Sequence, residues 1–152
     1  MIQCKRAYDP ASPDDGKRIL VDRLWPRNCR KDALVLDEWV KDVAPSTELR
    51  KAFKSGALNF AQFTRAYRQE LSAQPAHWWK LLDLAEAGTL TLIYAAHDPQ
   101  ANNAVVLAQW LEQSWIGVQR AVRRCVIRGI SRVNRDASSR HLSPRGKDRR
   151  GR

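Results

Sequence analysis

The sequence predicts an α/β fold: a small, mainly parallel three-stranded sheet flanked by about five helices, followed by a basic C-terminal extension. Three apolar runs rich in β-formers, at residues 2–8, 19–25 and 89–96, supply the strands. Between the second and third, apolar residues recur at helical spacing behind recognisable caps. The middle run is apolar almost throughout, as expected of a parallel strand covered on both faces.

In chain order, Asp9-Pro10 and the polar stretch through Gly16 end the first strand, and Pro26 stops the second. Asp37 is placed to cap a short helix through Trp39 and Val43, which Ala44-Pro45 breaks. Ser46 caps the next helix, with Glu48 in its first turn and Leu49 and Phe53 on its apolar side. Asn59 and Gln62 have capping-box spacing ahead of the stripe Phe63, Tyr67 and Leu71. Pro75 opens a further helix carrying Trp78, Leu81 and Leu82, which Gly88 closes. After the third strand, Asp98-Pro99 reads as the N-cap and first position of a helix with Ala101, Ala104, Ala108 and Leu111 on one face.

Charge is distributed unevenly. Of the net +11, residues 1–112 hold 15 Lys+Arg against 14 Asp+Glu, and residues 113–152 hold 12 against 2. The basicity belongs to the tail, and so does any electrostatic inference about partners. Three cysteines and three histidines are scattered, which argues against a disulfide framework or a metal site. No apolar run reaches the roughly 18 residues of a membrane span. The N-terminus lacks a signal-peptide pattern, so a cytoplasmic address is expected. No glycine-rich phosphate loop, Gly-x-Ser-x-Gly or His-Glu-x-x-His occurs, and no cofactor is implied.

Parallel strands with right-handed crossovers bring their ends to one edge, where ligands of open α/β sheets bind. Asp22 and Arg23 are adjacent in the second run and, in a strand, point to opposite faces. Asp22 on an apolar face needs a cation or donor, either as a buried cap or ion pair or as a working carboxylate. Arg23 and Arg27, with Arg18, suit an oxyanion beside Trp25; the alternative is a solvated loop with arginine stacked on tryptophan. Tyr94, Asp98 and Asn102 complete the ligand-binding candidates at that edge. At the Asp98-Pro99 helix start, Asp98 itself would repel a phosphate, so plain capping is the better reading there. Asp22 and His97 are the candidates for acid–base or nucleophilic catalysis. A Cys29–His97 pair lacks an orienting third group.

Several motifs together resemble the YeaO-like family of bacterial proteins of unknown function. They are Lys5-Arg-Ala-Tyr-Asp9-Pro10, Asp15-Gly16 with Arg18-Ile-Leu-Val-Asp22-Arg23-Leu-Trp25-Pro26-Arg27, and Ala44-Pro45-Ser46-Thr47-Glu48-Leu49-Arg50. Leu92-Ile-Tyr94-Ala-Ala and Asp98, followed by Asn102-Asn103-Ala-Val-Val-Leu107, complete the series. The resemblance spans about residues 2–112 and implies a small cytoplasmic α/β protein without an assigned activity. It also implies glycine after Trp-Pro-Arg, where this chain has Asn28, a residue that tolerates a left-handed turn. His97 stands where the resemblance more often implies arginine.

Residues 113–152 fall outside that resemblance. Leu111, Trp115, Val118, Val122, Val126, Ile130 and Val133 recur at helical spacing with arginines opposite, so residues 113–133 read as a basic amphipathic helix. Such a helix suits a partner groove, an anionic membrane or nucleic acid. Residues 134–152 read as a disordered tail. The leading functional expectation is a protein that binds a small anionic or phosphorylated ligand at the C-terminal edge of the sheet. The alternatives are a nucleic-acid-associated module acting through residues 113–152, and a hydrolase or transferase using Asp22 or His97.

Overall fold

A computed structural model describes residues 1–138, with side chains through Val126 except that of Val122. It divides after Trp115 into a folded body and a second unit beginning at Ile116. The body holds strands β1 (Ile2–Arg6), β2 (Lys17–Leu20), β3 (Glu38–Trp39) and β4 (Leu90–Tyr94). Helices α1 (Thr47–Lys54), α2 (Phe60–Ala73) and α3 (Pro75–Ala87) lie within it, and α4 runs from Asn103 to Ser138. Short 3-10 turns occupy Pro13–Asp15 and Lys41–Val43.

The sheet is parallel in every pairing, with strand order β1-β4-β2-β3. Among the described residues the fold therefore has four strands rather than three, and four α-helices rather than about five. The segment that differs is residues 37–43, expected to be helical. Arg18 donates its backbone N–H to the Asp37 carboxylate, and Val40 donates to Leu20 O. Those contacts lay Glu38–Trp39 against the open edge of β2, and only the Lys41–Val43 turn remains helical. Pairing with a distant strand outweighs a weak local preference.

All five residues of β4 are buried, as its central position requires. Side chains alternate between two clusters. Ile19, Val21, Leu90, Leu92 and Tyr94 join Leu49, Phe63, Tyr67, Leu81 and Leu107 of the helices in the main core. Ala7, Leu20 and Ile93 form the second cluster with Leu34, flanked by Trp25 and Trp39. Helices thus cover one face, and the loop after β2 covers the other.

At the opposite end from the carboxyl edge, Asp15 and Arg18 form a buried ion pair. Lys5 approaches the same carboxylate at 2.7 Å, and Ser12 closes a capping box around it. Arg18 also donates to Val35 O, which pins the covering loop. Gly16 links this knot to the sheet at φ +62°, where an added Cβ would lie 2.2 Å from Thr89 O. Only glycine fits such a crossing.

Candidate functional site

The expected second strand, residues 19–25, stops at Leu20 in the structure, and the reason lies in two side chains. Leu20 pairs with Ile93, and Val21 N–H donates to Ile93 O at 3.0 Å. The next bond of a parallel ladder would run from Ala95 N–H to Val21 O. Instead Ala95 N–H donates to Asp22 Oδ2 at 2.9 Å, and Val21 O accepts from Asn103 Nδ2 at 3.2 Å. Asn103 Nδ2 also donates to Asp22 Oδ1 at 3.1 Å. Asp22 and Asn103 together replace one rung of the ladder and part β2 from β4 at the carboxyl edge. Asp22 and Arg23 consequently sit in a loop, and the strand-based expectation of opposite faces does not hold.

Burial pushes the Asp22 carboxyl above the usual carboxylate range, against the opposing effects of Asn103, Ala95 N–H and the positive charge of Arg50. Arg50 comes from α1, whose Ser46 cap is fixed from α2: Ser46 donates through N–H and Oγ to Glu70 at 2.8 and 2.7 Å. The Arg50 Nε–H is buried without a hydrogen-bond partner. Among the described residues, Arg50 forms no ion pair, although it acts electrostatically on Asp22.

The other expected residues are dispersed. Arg23 donates from Nε to Pro45 O at 3.2 Å and from Nη2 to Ala44 O at 3.4 Å, tying its loop to the start of α1. Trp25 donates to Cys29 O at 2.7 Å and meets Trp39 edge-on, within the cluster on the loop-covered face. Arg27 is exposed, and its carbonyl accepts from Tyr8 OH. The turn after it survives without glycine, since Asn28 adopts φ 57°. Tyr94 lies in the main core on the opposite face from Trp25, and burial raises its phenol above the usual range. Asp98 is exposed and accepts from Gln100 and Ala101 N–H in a local turn. The helix expected to start at Pro99 starts instead at Asn103, with buried Asn102 as its cap. Asn102 Oδ1 accepts from Val105 N–H at 3.0 Å, and its Nδ2 donates to Asp98 O at 2.9 Å. His97 is exposed. Arg18, with its two partners described above, is turned away from this edge.

A cleft of about 370 Å³ opens elsewhere, between residues 7–11 and 29–35, with Arg18 and Cys29 in its wall. Neither Asp22 nor Arg50 lines it. Among the described residues, no cluster of three or more His, Cys, Asp or Glu could hold a metal ion.

A family model described as the inactive DUF488-N3 subclade, DUF488-N3i, matches residues 1–125. This chain belongs to the DUF488-N3i family. The uncharacterized protein YeaO of Escherichia coli K12 is 52% identical over 110 residues, covering 72% of this chain and 96% of YeaO. The uncharacterized protein Rv3073c of Mycobacterium tuberculosis H37Rv is 38% identical over 110 residues, covering 72% and 92% respectively. No solved structure matches. The YeaO-like resemblance read from the motifs is thereby established, and the DUF488-N3i match continues past residue 112 to residue 125.

In this DUF488-N3i domain, Arg50 and Asn103 are the edge residues that sequence reading passed over. Both lie inside motifs that carried the resemblance, yet neither stands out there. An arginine within a short helix resembles any solvated arginine until a neighbouring element buries its Nε. Asn103 looks equivalent to Asn102 until the helix start separates cap from wedge.

Proposed function

We propose that this domain binds a small anionic or phosphorylated ligand at the carboxyl edge of its sheet, in the cytoplasm, as a binding module rather than an enzyme. The observation that carries the reading is Arg50: a half-buried guanidinium with a bare Nε–H, beside a carboxylate already engaged by two donors. A buried donor without a partner is costly, and a planar guanidinium suits a carboxylate or phosphate oxygen pair. The parted strands and the carboxyl edge are where α/β sheets place ligands. Since the cleft lies elsewhere and the Nε–H is closed to solvent, the ligand's anionic group meets Arg50 through the exposed part of its side chain, and most of the ligand stays outside.

The family description "inactive" agrees with an absence of turnover. So does the engagement of both Asp22 oxygens by Ala95 N–H and Asn103, which leaves this carboxylate poorly placed as a nucleophile or base. The test is a thermal-shift series with inorganic phosphate, nucleoside monophosphates and small dicarboxylates. A ligand at a hundred times its Kd should stabilise the wild type by about 2.7 kcal/mol, and Arg50→Ala should lose that gain while remaining folded by circular dichroism. Equal stabilisation of both proteins, or none of the wild type across the series, refutes the reading.

A further inference from the structure

We propose that the second unit is a surface-lying helix that docks on an anionic lipid bilayer. Helix α4 continues through Gly117 and Gly129 to Ser138, so the segment from Ile116 is about 35 Å long. Val118 and Val126 are 41% and 55% exposed. Arg120, Arg123 and Arg124 are exposed on the same stretch. At 100° per residue, positions 118 and 126 flank position 122 by about 40° on either side. Positions 120 and 124 each lie about 160° from position 122, on the reverse of the helix. Valine also occupies position 122, and the sequence continues the apolar series at Ile130 and Val133.

Between residues 116 and 138 the sequence carries six arginines against one acid, Asp136. An apolar stripe backed by arginine is the pattern of a helix that lies in the plane of a lipid interface. Crossing is excluded for this helix, because none among the described residues is long and apolar enough. Charge complementarity selects the occupant. Anionic headgroups neutralise the arginines while the acyl boundary takes up the valines, so both faces are satisfied at once. A nucleic acid would engage the arginines and leave the valine stripe in water. A second copy would cover the stripe but leave the arginines, on the reverse of each helix, without a counter-charge.

The experiment is flotation of the full chain with vesicles of about three parts phosphatidylcholine to one part phosphatidylglycerol, beside pure phosphatidylcholine vesicles. Duplex DNA binding is measured in parallel at the same salt. The wild type should float only with the anionic vesicles. Arg120→Ala/Arg124→Ala should weaken partitioning roughly 25-fold, about fivefold for each arginine removed. Val118→Glu/Val126→Glu should abolish flotation while leaving the unfolding midpoint of the body unchanged. Two results overturn the proposal: the wild type fails to float, or the valine variant floats as well as the wild type. Where the wild type fails to float and DNA binding persists in the valine variant, the helix is assigned to nucleic acid.

Discussion

Asp22→Asn separates a side chain that holds the fold from one kept for chemistry. The substitution preserves shape but turns one acceptor oxygen into an NH2 group. Asp22 accepts from Ala95 N–H through one oxygen and from Asn103 Nδ2 through the other, so an amide can satisfy only one of them. Asn103 keeps Val21 O as a partner. The lower-energy flip therefore turns the amide oxygen toward Ala95 and sets two NH2 groups against each other. Leaving one such group unsatisfied costs about 1–3 kcal/mol at a buried position. The pH dependence adds a second, independent reading. Burial raises the folded carboxyl above its unfolded value, near 3.8, so between the two values the native state binds more protons than the unfolded state. Stability of the wild type then falls as pH rises through that window, whereas asparagine does not titrate. The gap between wild type and Asp22→Asn should be widest at acid pH and narrow toward neutrality. Urea unfolding of both proteins across pH measures it, with the other titrating groups common to the pair. A gap that widens with rising pH would mean that Arg50 and the two donors outweigh burial, and would refute the reasoning.

The Asp15 knot should behave in the opposite sense. Hydrogen bonding from Lys5, with Ser12 and Arg18, holds its carboxyl at about 2, below the ordinary 3.8. Its contribution is therefore present above the unfolded value and is lost as pH falls from about 3.8 toward 2; Asp15→Asn should flatten acid unfolding over that interval, and an unchanged acid limb contradicts it. At Gly16, alanine combines a backbone region closed to other residues with a Cβ placed 2.2 Å from Thr89 O. Strain and overpacking of about 1–3 kcal/mol each predict a loss of about 2–6 kcal/mol by urea unfolding, and a loss below about 1 kcal/mol would refute the close crossing.

The main lines of the fold were legible because they depend on local chemistry. Leu90 to Tyr94 and Ile2 to Arg6 announced strands by composition, and the Asn59–Gln62 capping box announced the start of α2 at Phe60. Ser46 acts as the cap that its position suggested. Asn28 carries the positive φ that the turn demanded of a non-glycine residue. The separation of a nearly neutral body from a basic tail is likewise arithmetic on the chain.

Tertiary structure decided what those elements do at the carboxyl edge. Nothing in residues 19–25 reveals where the strand ends, because the end is made by Asp22 reaching Ala95 and by Asn103 reaching Val21, 73 and 82 residues away. Trp25 and Tyr94 stand on opposite faces of the sheet because the loop after β2 carries Trp25 to the covered face, whereas alternation along β4 turns Tyr94 into the main core. Arg23 spends its donors on Ala44 and Pro45, while Arg50, unremarkable in sequence, is left with a buried free Nε–H. Sequence by itself set periodicity, caps and charge, which are properties of neighbouring residues. Only packing could choose which arginine keeps an unspent donor, since that choice depends on which distant carbonyls and carboxylates arrive beside it.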